Sequence, residues 1–549
     1  MSGDHLILSL FPLSGGLPAL SFACAPTGIP RSMTVANDSR AAPDERGGAG
    51  GAAPHGVLFS MCLAVALVTA SMAALNLALP DLAVSLSASI TSLTWIVDAY
   101  VLALAGLVLP LGALGDRVGR RAVLLAGTVV FGVASLAASY ASDTTALIAW
   151  RTAIGVGAAM IMPGTLSTIT AVLPTEQRPK GVALWAACSA AGVILGMLVT
   201  GVLLRWFSWR SVFVAGAVGA LGAALAAVFL APETKDVHQR RFDAGGAVCA
   251  ALAPGALVYA LIEGNGGGWA QPRVLAALSA TVLATVAYVV LGLRTEHPLL
   301  DPRLFRREGF RAGAVTIVVQ FMAVFGFYFV GLQYLQLILG YSALKSAVAL
   351  VPVALVIVLA SETTPRLAAR LGERTVMIGG LLLLASGLVA LSLLGTGSGY
   401  LPFLGGLVLA GLGIGMTGVV GTSAITSSLT QDQQGVASAM NDVTREVGAA
   451  VGIALMGSVF GSRYRLALPD VSRLPPAAAD AVRHSPVGGL YVADRLGPEG
   501  APLAAAVKDA FTNGMSAALS TVAVVIVVAV CFLLRVPKKR QPTRPAESP

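Results

Sequence analysis

Residues Gly112–Arg121 read GALGDRVGRR and are flanked by two long apolar runs, Leu93–Ala113 and Ala122–Ala141. One acid and three arginines cannot sit in hydrocarbon, so the stretch is a tight loop at a membrane face and the runs beside it are membrane helices. Short loops rich in Lys and Arg stay in the cytoplasm, which puts this face inside. Gly112, Gly115 and Gly119 let the chain turn and the helices approach, while Arg117, Arg120 and Arg121 can reach carboxylates or helix C-termini. The loop reads as a contact built to form and break.

The whole chain agrees with this reading. It has 549 residues, of which 56% are hydrophobic and 11% charged, and its mean hydropathy is +0.81. That is the composition of an integral membrane protein. The net charge of +9 comes from short inter-span loops and the tail, without a basic helix or aromatic RNA motif, so it is topological and nucleic acid is no partner. Cys62, Cys188, Cys249 and Cys531 lie in apolar runs and Cys24 near the start, a scattered odd set that suits neither disulfides nor a metal. His5, His55, His238, His297 and His484 all fall outside the spans, and the nearest approach to a phosphate loop, Gly340 to Ser346, lacks its second glycine. An enzyme, a metal centre, a cofactor and an ATP-driven pump are therefore not expected.

In chain order, residues 1–56 read as a disordered cytoplasmic tail. Leu6–Ala25 is broken by Pro12, Gly15, Gly16 and Pro18, which makes a poor signal peptide, and Met33 is an alternative start that would leave 1–32 untranslated. Apolar runs of spanning length then follow near 57–79, 93–113, 122–141, 146–169, 182–204, 211–231, 244–264, 274–293, 312–338, 345–361, 376–395, 402–429, 436–460 and 513–535. With both termini inside, the loops at 116–121, 176–180, 235–241, 294–311 and 366–374 and the basic tail 536–549 are cytoplasmic and carry most of the loop Lys and Arg. The 462–512 loop reads as an irregular outer cap. GDRVGRRAVLLAG at 115–127 aligns with AARLGERTVMIGG at 368–380, pairing Arg117 with Arg370, Gly119 with Gly372 and Arg121 with Arg374, with Ala369 opposite Asp116. The chain is thus expected to hold two related six-helix bundles, 57–231 and 312–535, joined by an inserted hairpin and loop, 232–311.

Gly112, Asp116, Arg117, Gly119, Arg120 and Arg121 fill every fixed position of G-x-x-x-D-R-x-G-R-R, and on these residues the chain resembles the major facilitator superfamily. The resemblance implies an all-α major facilitator fold, alternating access, and a cytoplasmic latch at this loop. Fourteen spans narrow it to the drug/proton antiporter branch. Leu147-x3-Arg151-x3-Gly155-x-Gly157 is similar to that family's fourth-span motif, with Ile154 where a Gln is usual, and there the arginine is tied to proton transfer. The alternative is an arginine snorkelling to the outer surface. Gly192-x3-Gly196-Met197-x3-Gly201 is similar to the antiporter motif of the fifth span, with Met197 for its proline and Thr200 for a glycine; small-residue packing alone also explains it. Asn76-Leu77-Ala78-Leu79-Pro80 resembles the family's first-span ending, but Ser71 stands where an aspartate is common.

That leaves Asp98, about a turn and a half inside span two, as the acid suited to take up and release protons with Arg151 as partner; the alternative is a hydrated residue at the outer interface, with Trp95 and Tyr100 as belt aromatics. Glu263 reads as a solvated end of the inserted hairpin. Asp442 and Arg445, three apart, read as a local ion pair at the cytoplasmic mouth beside Glu446, or as a contact to the other bundle. Asn76, Phe325, Tyr328, Gln333 and Tyr334, with Phe321 and Gln336 nearby, are candidates for a substrate cavity, or else packed or lipid-facing aromatics. Met160–Gly164 reads as a helix break at Pro163. The expected protein is a monomeric exporter of hydrophobic or cationic small molecules in a bacterial plasma membrane, driven by a proton gradient; the alternative is a proton-independent or proton-symporting permease of the same fold.

Overall fold

The structure is a computed structural model and describes residues 54–174, 177–234, 243–295, 298, 301–429, 434–472 and 474–535. Most of the expected N-terminal tail, the basic C-terminal tail and part of the loop after span six lie outside the described residues. Among the described residues all regular structure is helical, and fourteen helices are long and apolar enough to cross a membrane. They are α1 Pro54–Ala74, α2 Ile90–Val118, α3 Arg120–Ser139, α4 Thr144–Val172, α5 Arg178–Trp206, α6 Arg210–Leu230, α7 Ala244–Gly267, α8 Pro272–Arg294, α9 Glu308–Gln333, α10 Val351–Leu371, α11 Glu373–Ser392, α12 Tyr400–Ser427, α13 Gln434–Ala467 and α14 Ala501–Arg535. Each overlaps one of the apolar runs read from the sequence.

Local chemistry sets the ends. Ser89, Asp143 and Asp243 cap α2, α4 and α7 by accepting from the backbone N–H of Ser92, Ala146 and Gly246. α2 and α10 each stop at a glycine with positive φ, Gly119 at 131° and Gly372 at 86°, a conformation that costs other residues a clash at Cβ. These two glycines are the pair aligned by the sequence repeat.

In the first half α1 packs on α5 and α6, α4 on α2 and α3, and α3 on α6; in the second, α9 packs on α12, α13 and α14, α12 on α10 and α11, and α14 on α11 and α13. Association of helices in lipid depends on close van der Waals approach, so small residues sit at the crossings. A Cβ added at Gly155 of α4 would collide with the Tyr100 carbonyl of α2, and one at Gly452 of α13 with the Met322 carbonyl of α9. The inserted hairpin, α7 and α8, stands on one flank, with α7 against both α2 and α13.

Two sequence expectations are corrected. Pro163 does not break its helix: α4 runs through it from Thr144 to Val172. The ring lies against Gly112, where an added Cβ would come 3.0 Å from the Pro163 Cβ, so the two helices pack closely at the proline. The 462–512 segment is not irregular, since α13 continues to Ala467, two short helices follow at Pro476–His484 and Pro486–Arg495, and α14 already begins at Ala501. The missed signals were local: Pro476 and Pro486 stand at first helical positions, and Ser485 caps the second helix through the Gly488 N–H at 3.1 Å. Nearby, Asp470 accepts from the backbone N–H and hydroxyl of Ser472, both at 2.9 Å, which holds its carboxyl below the usual range.

Candidate functional site

The two halves meet at the face opposite Asp116. A Cβ at Gly201 of α5 would lie 2.7 Å from the Leu344 Cα, one at Gly457 of α13 would lie 2.6 Å from the Thr94 hydroxyl, and Gln336 Nε2 donates to the Leu77 carbonyl at 3.2 Å. Along α5, Gly201 and Met197 are buried, whereas Ala190, Ala187 and Ala186, nearer the Asp116 face, are exposed. The halves therefore touch at the face opposite Asp116.

At the Asp116 face the motif residues turn inward on their own half. Asp116 Oδ1 accepts from Arg120 Nε at 2.8 Å across the Gly119 turn, and Arg120 also donates from Nη1 to the Ser167 carbonyl at 3.2 Å and from its backbone N–H to Thr234 O at 3.0 Å. Arg121 Nη2 donates to the Val228 carbonyl in the last turn of α6 at 2.5 Å. Arg117 is exposed. Asp116 is thus paired with Arg120, rather than sharing a latch with Arg117, and among the described residues none of these contacts crosses to the second half.

Deeper in the first half, Arg151 is 1% exposed. Its Nε donates to Ile96 O at 3.0 Å, Nη2 to Val97 O at 3.5 Å and Nη1 to Ser71 Oγ at 3.5 Å, and the guanidinium lies 4.5 Å from the centre of the Tyr100 ring. Tyr100 is itself fixed, its hydroxyl donating to Val68 O at 2.8 Å. The arginine ties α4 to α2 and α1, and the snorkelling alternative is ruled out. Asp98 is fully buried, which removes the interface alternative, and among the described residues neither of its oxygens has a hydrogen-bond partner. Its pairing with Arg151 is also corrected, because the guanidinium is taken up by carbonyls on the α4 side of α2, while Asp98 follows Thr94 by one turn on the side that meets α13. Asn76 is buried, with Nδ2 donating to Ala73 O at 3.3 Å and Oδ1 unpartnered.

The fifth-span glycines divide their work. A Cβ at Gly192 would collide with the Thr69 hydroxyl and lie 2.7 Å from Ala66 O, and one at Gly196 would lie 2.7 Å from Ala70, so both seat α5 on α1. Gly201 instead serves the contact between halves at Leu344.

In the second half, Phe321, Phe325 and Tyr328 form a ladder with ring centres 5.9 and 5.6 Å apart, and the Arg445 guanidinium lies 4.6 Å over Phe321. The expected ion pair of Asp442 with Arg445 is absent among the described residues within 4.0 Å, because the guanidinium is drawn to the ring. Asp442 and Glu446 are buried instead of lying at a mouth, and Glu446 Oε2 has no partner. Gln333 and Tyr334 leave the cavity set: Gln333 Nε2 donates to Phe329 O at 2.7 Å, and Tyr334 stacks on Phe403 with its hydroxyl on Gly395 O at 3.1 Å. Glu263 is not a free helix end either, since its Oε1 accepts from Trp95 Nε1 at 3.0 Å. The sequence reading missed the Tyr100 seat under Arg151 and the buried bond from Thr417 to Gln320 Oε1 at 2.8 Å. A polar side chain in the middle of an apolar span was the only signal for either.

The family model described as Major Facilitator Superfamily matches residues 61–453, the stretch that carries the motif loop, Arg151 and most of both halves. The chain belongs to the Major Facilitator Superfamily. Among curated members it is 31% identical over 479 residues to the multidrug efflux pump LfrA of Mycolicibacterium smegmatis, covering 86% of this chain and 95% of that protein. It is 28% identical over 490 residues to the tetracenomycin C resistance and export protein of Streptomyces glaucescens, covering 88% and 91%. Among solved facilitators, a bacterial homolog of the human lysosomal transporter Spinster, in an inward-facing and unoccupied conformation, superposes with a TM-score of 0.63 at 14% identity, over 90% of this chain and all of that one. As a member of this family the chain is a multi-pass membrane protein of a transporter family.

Proposed function

We propose that this facilitator exports hydrophobic small molecules, drugs or an endogenous antibiotic, across a bacterial plasma membrane in exchange for protons, by alternating access and without enzymatic chemistry or a cofactor. The Asp116 face is cytoplasmic in this reading, as its arginines favour, and both termini lie there. The observation that carries the proposal is the wholly buried Asp98, whose oxygens have no hydrogen-bond partner among the described residues. An acid inside a membrane span is expensive to place there and is the residue type suited to carry a proton. The aromatic ladder at Phe321, Phe325 and Tyr328 offers an apolar wall for flat substrates, and the names of the relatives favour export of such molecules. The chain acts as a monomer, with lipid, substrate and protons as its partners.

The test is efflux of a fluorescent lipophilic cation from proteoliposomes carrying wild type or Asp98→Asn, with and without a pH gradient. Gradient-dependent efflux that Asp98→Asn abolishes is the expected result; efflux indifferent to both overturns the coupling. A second reading, a proton-independent or proton-symporting permease, draws on one observation: Arg151 meets the hydroxyl of Ser71 and two carbonyls, with no ion pair to a carboxylate among the described residues.

A further inference from the structure

We infer that the inserted helix α7, pinned at its end by Trp95 and Glu263, forms the outer wall of the chamber around Asp98 and governs access to that carboxyl. The inference rests on the proton reading of Asp98 for its meaning in transport, though not for its geometry.

The helix α2 presents three faces. Tyr100 and Ala103 meet α4 at Gly155, and Thr94 meets α13 at Gly457. Trp95 and Gly106 meet α7: Trp95 Nε1 donates to Glu263 Oε1 at 3.0 Å, the Trp95 and Tyr259 rings are 6.0 Å apart, and a Cβ at Gly106 would lie 3.2 Å from the Ala251 Cβ. Asp98 follows Thr94 by four residues and Trp95 by three, so it lies on the seam between the α13 and α7 faces. The two helices are antiparallel, with Gly106 level with Ala251 and Trp95 with Glu263, which sets Asp98 level with Tyr259 and Ala260. Val258, Ala260 and Ile262 are buried there at 0%, 0% and 2%, whereas Val248 and Leu252 of the same helix stay 64% and 49% exposed, as a lipid-facing surface does. Without α7 the seam would open on hydrocarbon.

The hold on α7 is concentrated at its end. Glu263 accepts from Trp95 and also faces Arg273 of α8 at 3.8 Å, so one carboxylate joins the first half to both arms of the hairpin. Trp95 and Glu263 are positioning residues in this scheme, acting on Asp98 through α7. Elsewhere the bundles close on themselves; here an added element completes the enclosure.

The full chain in proteoliposomes would be treated with dicyclohexylcarbodiimide, which adds to buried protonated carboxyls, and the adduct at Asp98 quantified by mass spectrometry; Asp98→Asn supplies the blank. Trp95→Phe and Glu263→Ala should each raise the rate of Asp98 modification up to roughly tenfold, the population change that loss of one partly buried hydrogen bond allows. Glu263→Gln keeps an oxygen that can accept from Trp95 and should stay near wild type. Alkylation of Cys62, a buried thiol of α1 remote from the hairpin, reports general loosening. Faster reaction at Asp98 with Cys62 unchanged supports the wall. Unchanged Asp98 reactivity in both variants overturns it, and so does a parallel rise at Asp98 and Cys62. Because the adduct reports access and not transport, a failure of the proton reading, seen as gradient-driven efflux surviving in Asp98→Asn, is told apart from a failure of the wall.

Discussion

Arg121 and Arg374 occupy the same place in the two halves. Arg121 donates to Val228 O and Arg374 to Leu534 O, both at 2.5 Å, and each acceptor lies in the last turn of that half's final helix. The sequence repeat paired these arginines without saying why they recur. A guanidinium at a helix C-terminus answers carbonyls that have no intrahelical donor and the negative end of the helix dipole.

Replacing either by Ala should lower stability by about 0.3–1 kcal/mol, the usual worth of a cation at an accessible helix end. The sites lie in different halves, so the double variant should lose the sum. Thermal unfolding in detergent measures this, and a double variant as stable as the wild type would refute the shared role.

Arg151→Lys keeps the charge but cannot reach Ile96 O, Val97 O and Ser71 together or lie flat on Tyr100. Hydrogen bonds to a buried charge are worth roughly 1.5–3 kcal/mol each, so loss of one should slow efflux at least about tenfold. Wild-type efflux by the lysine variant would mean that the network is not needed.

Gly192 and Gly201 should separate stability from conformation. Gly192→Leu overpacks the α1–α5 contact in every state and should cost about 1–3 kcal/mol of stability, seen as reduced yield and earlier unfolding. Gly201→Leu intrudes only while the halves touch at Leu344, so it should leave yield intact and drive that face open. A cysteine replacing the buried Ser346 reads the opening: an impermeant thiol reagent should modify it roughly tenfold faster in the Gly201→Leu background. Equal rates would place the closure elsewhere.

The Asp116 side chain is 43% exposed, and an ion pair so placed contributes about 0–1 kcal/mol. Asp116→Asn should therefore unfold at nearly the wild-type temperature while efflux falls. A matching fall in stability would recast Asp116 as a structural residue.

Spans were legible because hydrocarbon imposes one rule on every crossing helix, and twenty apolar residues in a row announce it. The short helices at 476–495 were missed because they lie outside that rule and depend on single capping residues such as Ser485. Site residues were legible as types and not as partners. Asp98 and Arg151 stood out as charges inside apolar runs, yet the side of α2 that each engages depends on which neighbour each crossing presents, a fact of tertiary packing that spacing does not encode. Pro163 shows the same limit, since α4 runs through it with its ring packed on Gly112, fifty-one positions earlier.

The repeat makes α2 the counterpart of α10, and with it the flank between α2 and α13 the counterpart of the one between α5 and α10. Only the first carries α7. The two halves, alike in their repeat, therefore turn unlike flanks outward, one of them faced by an added helix.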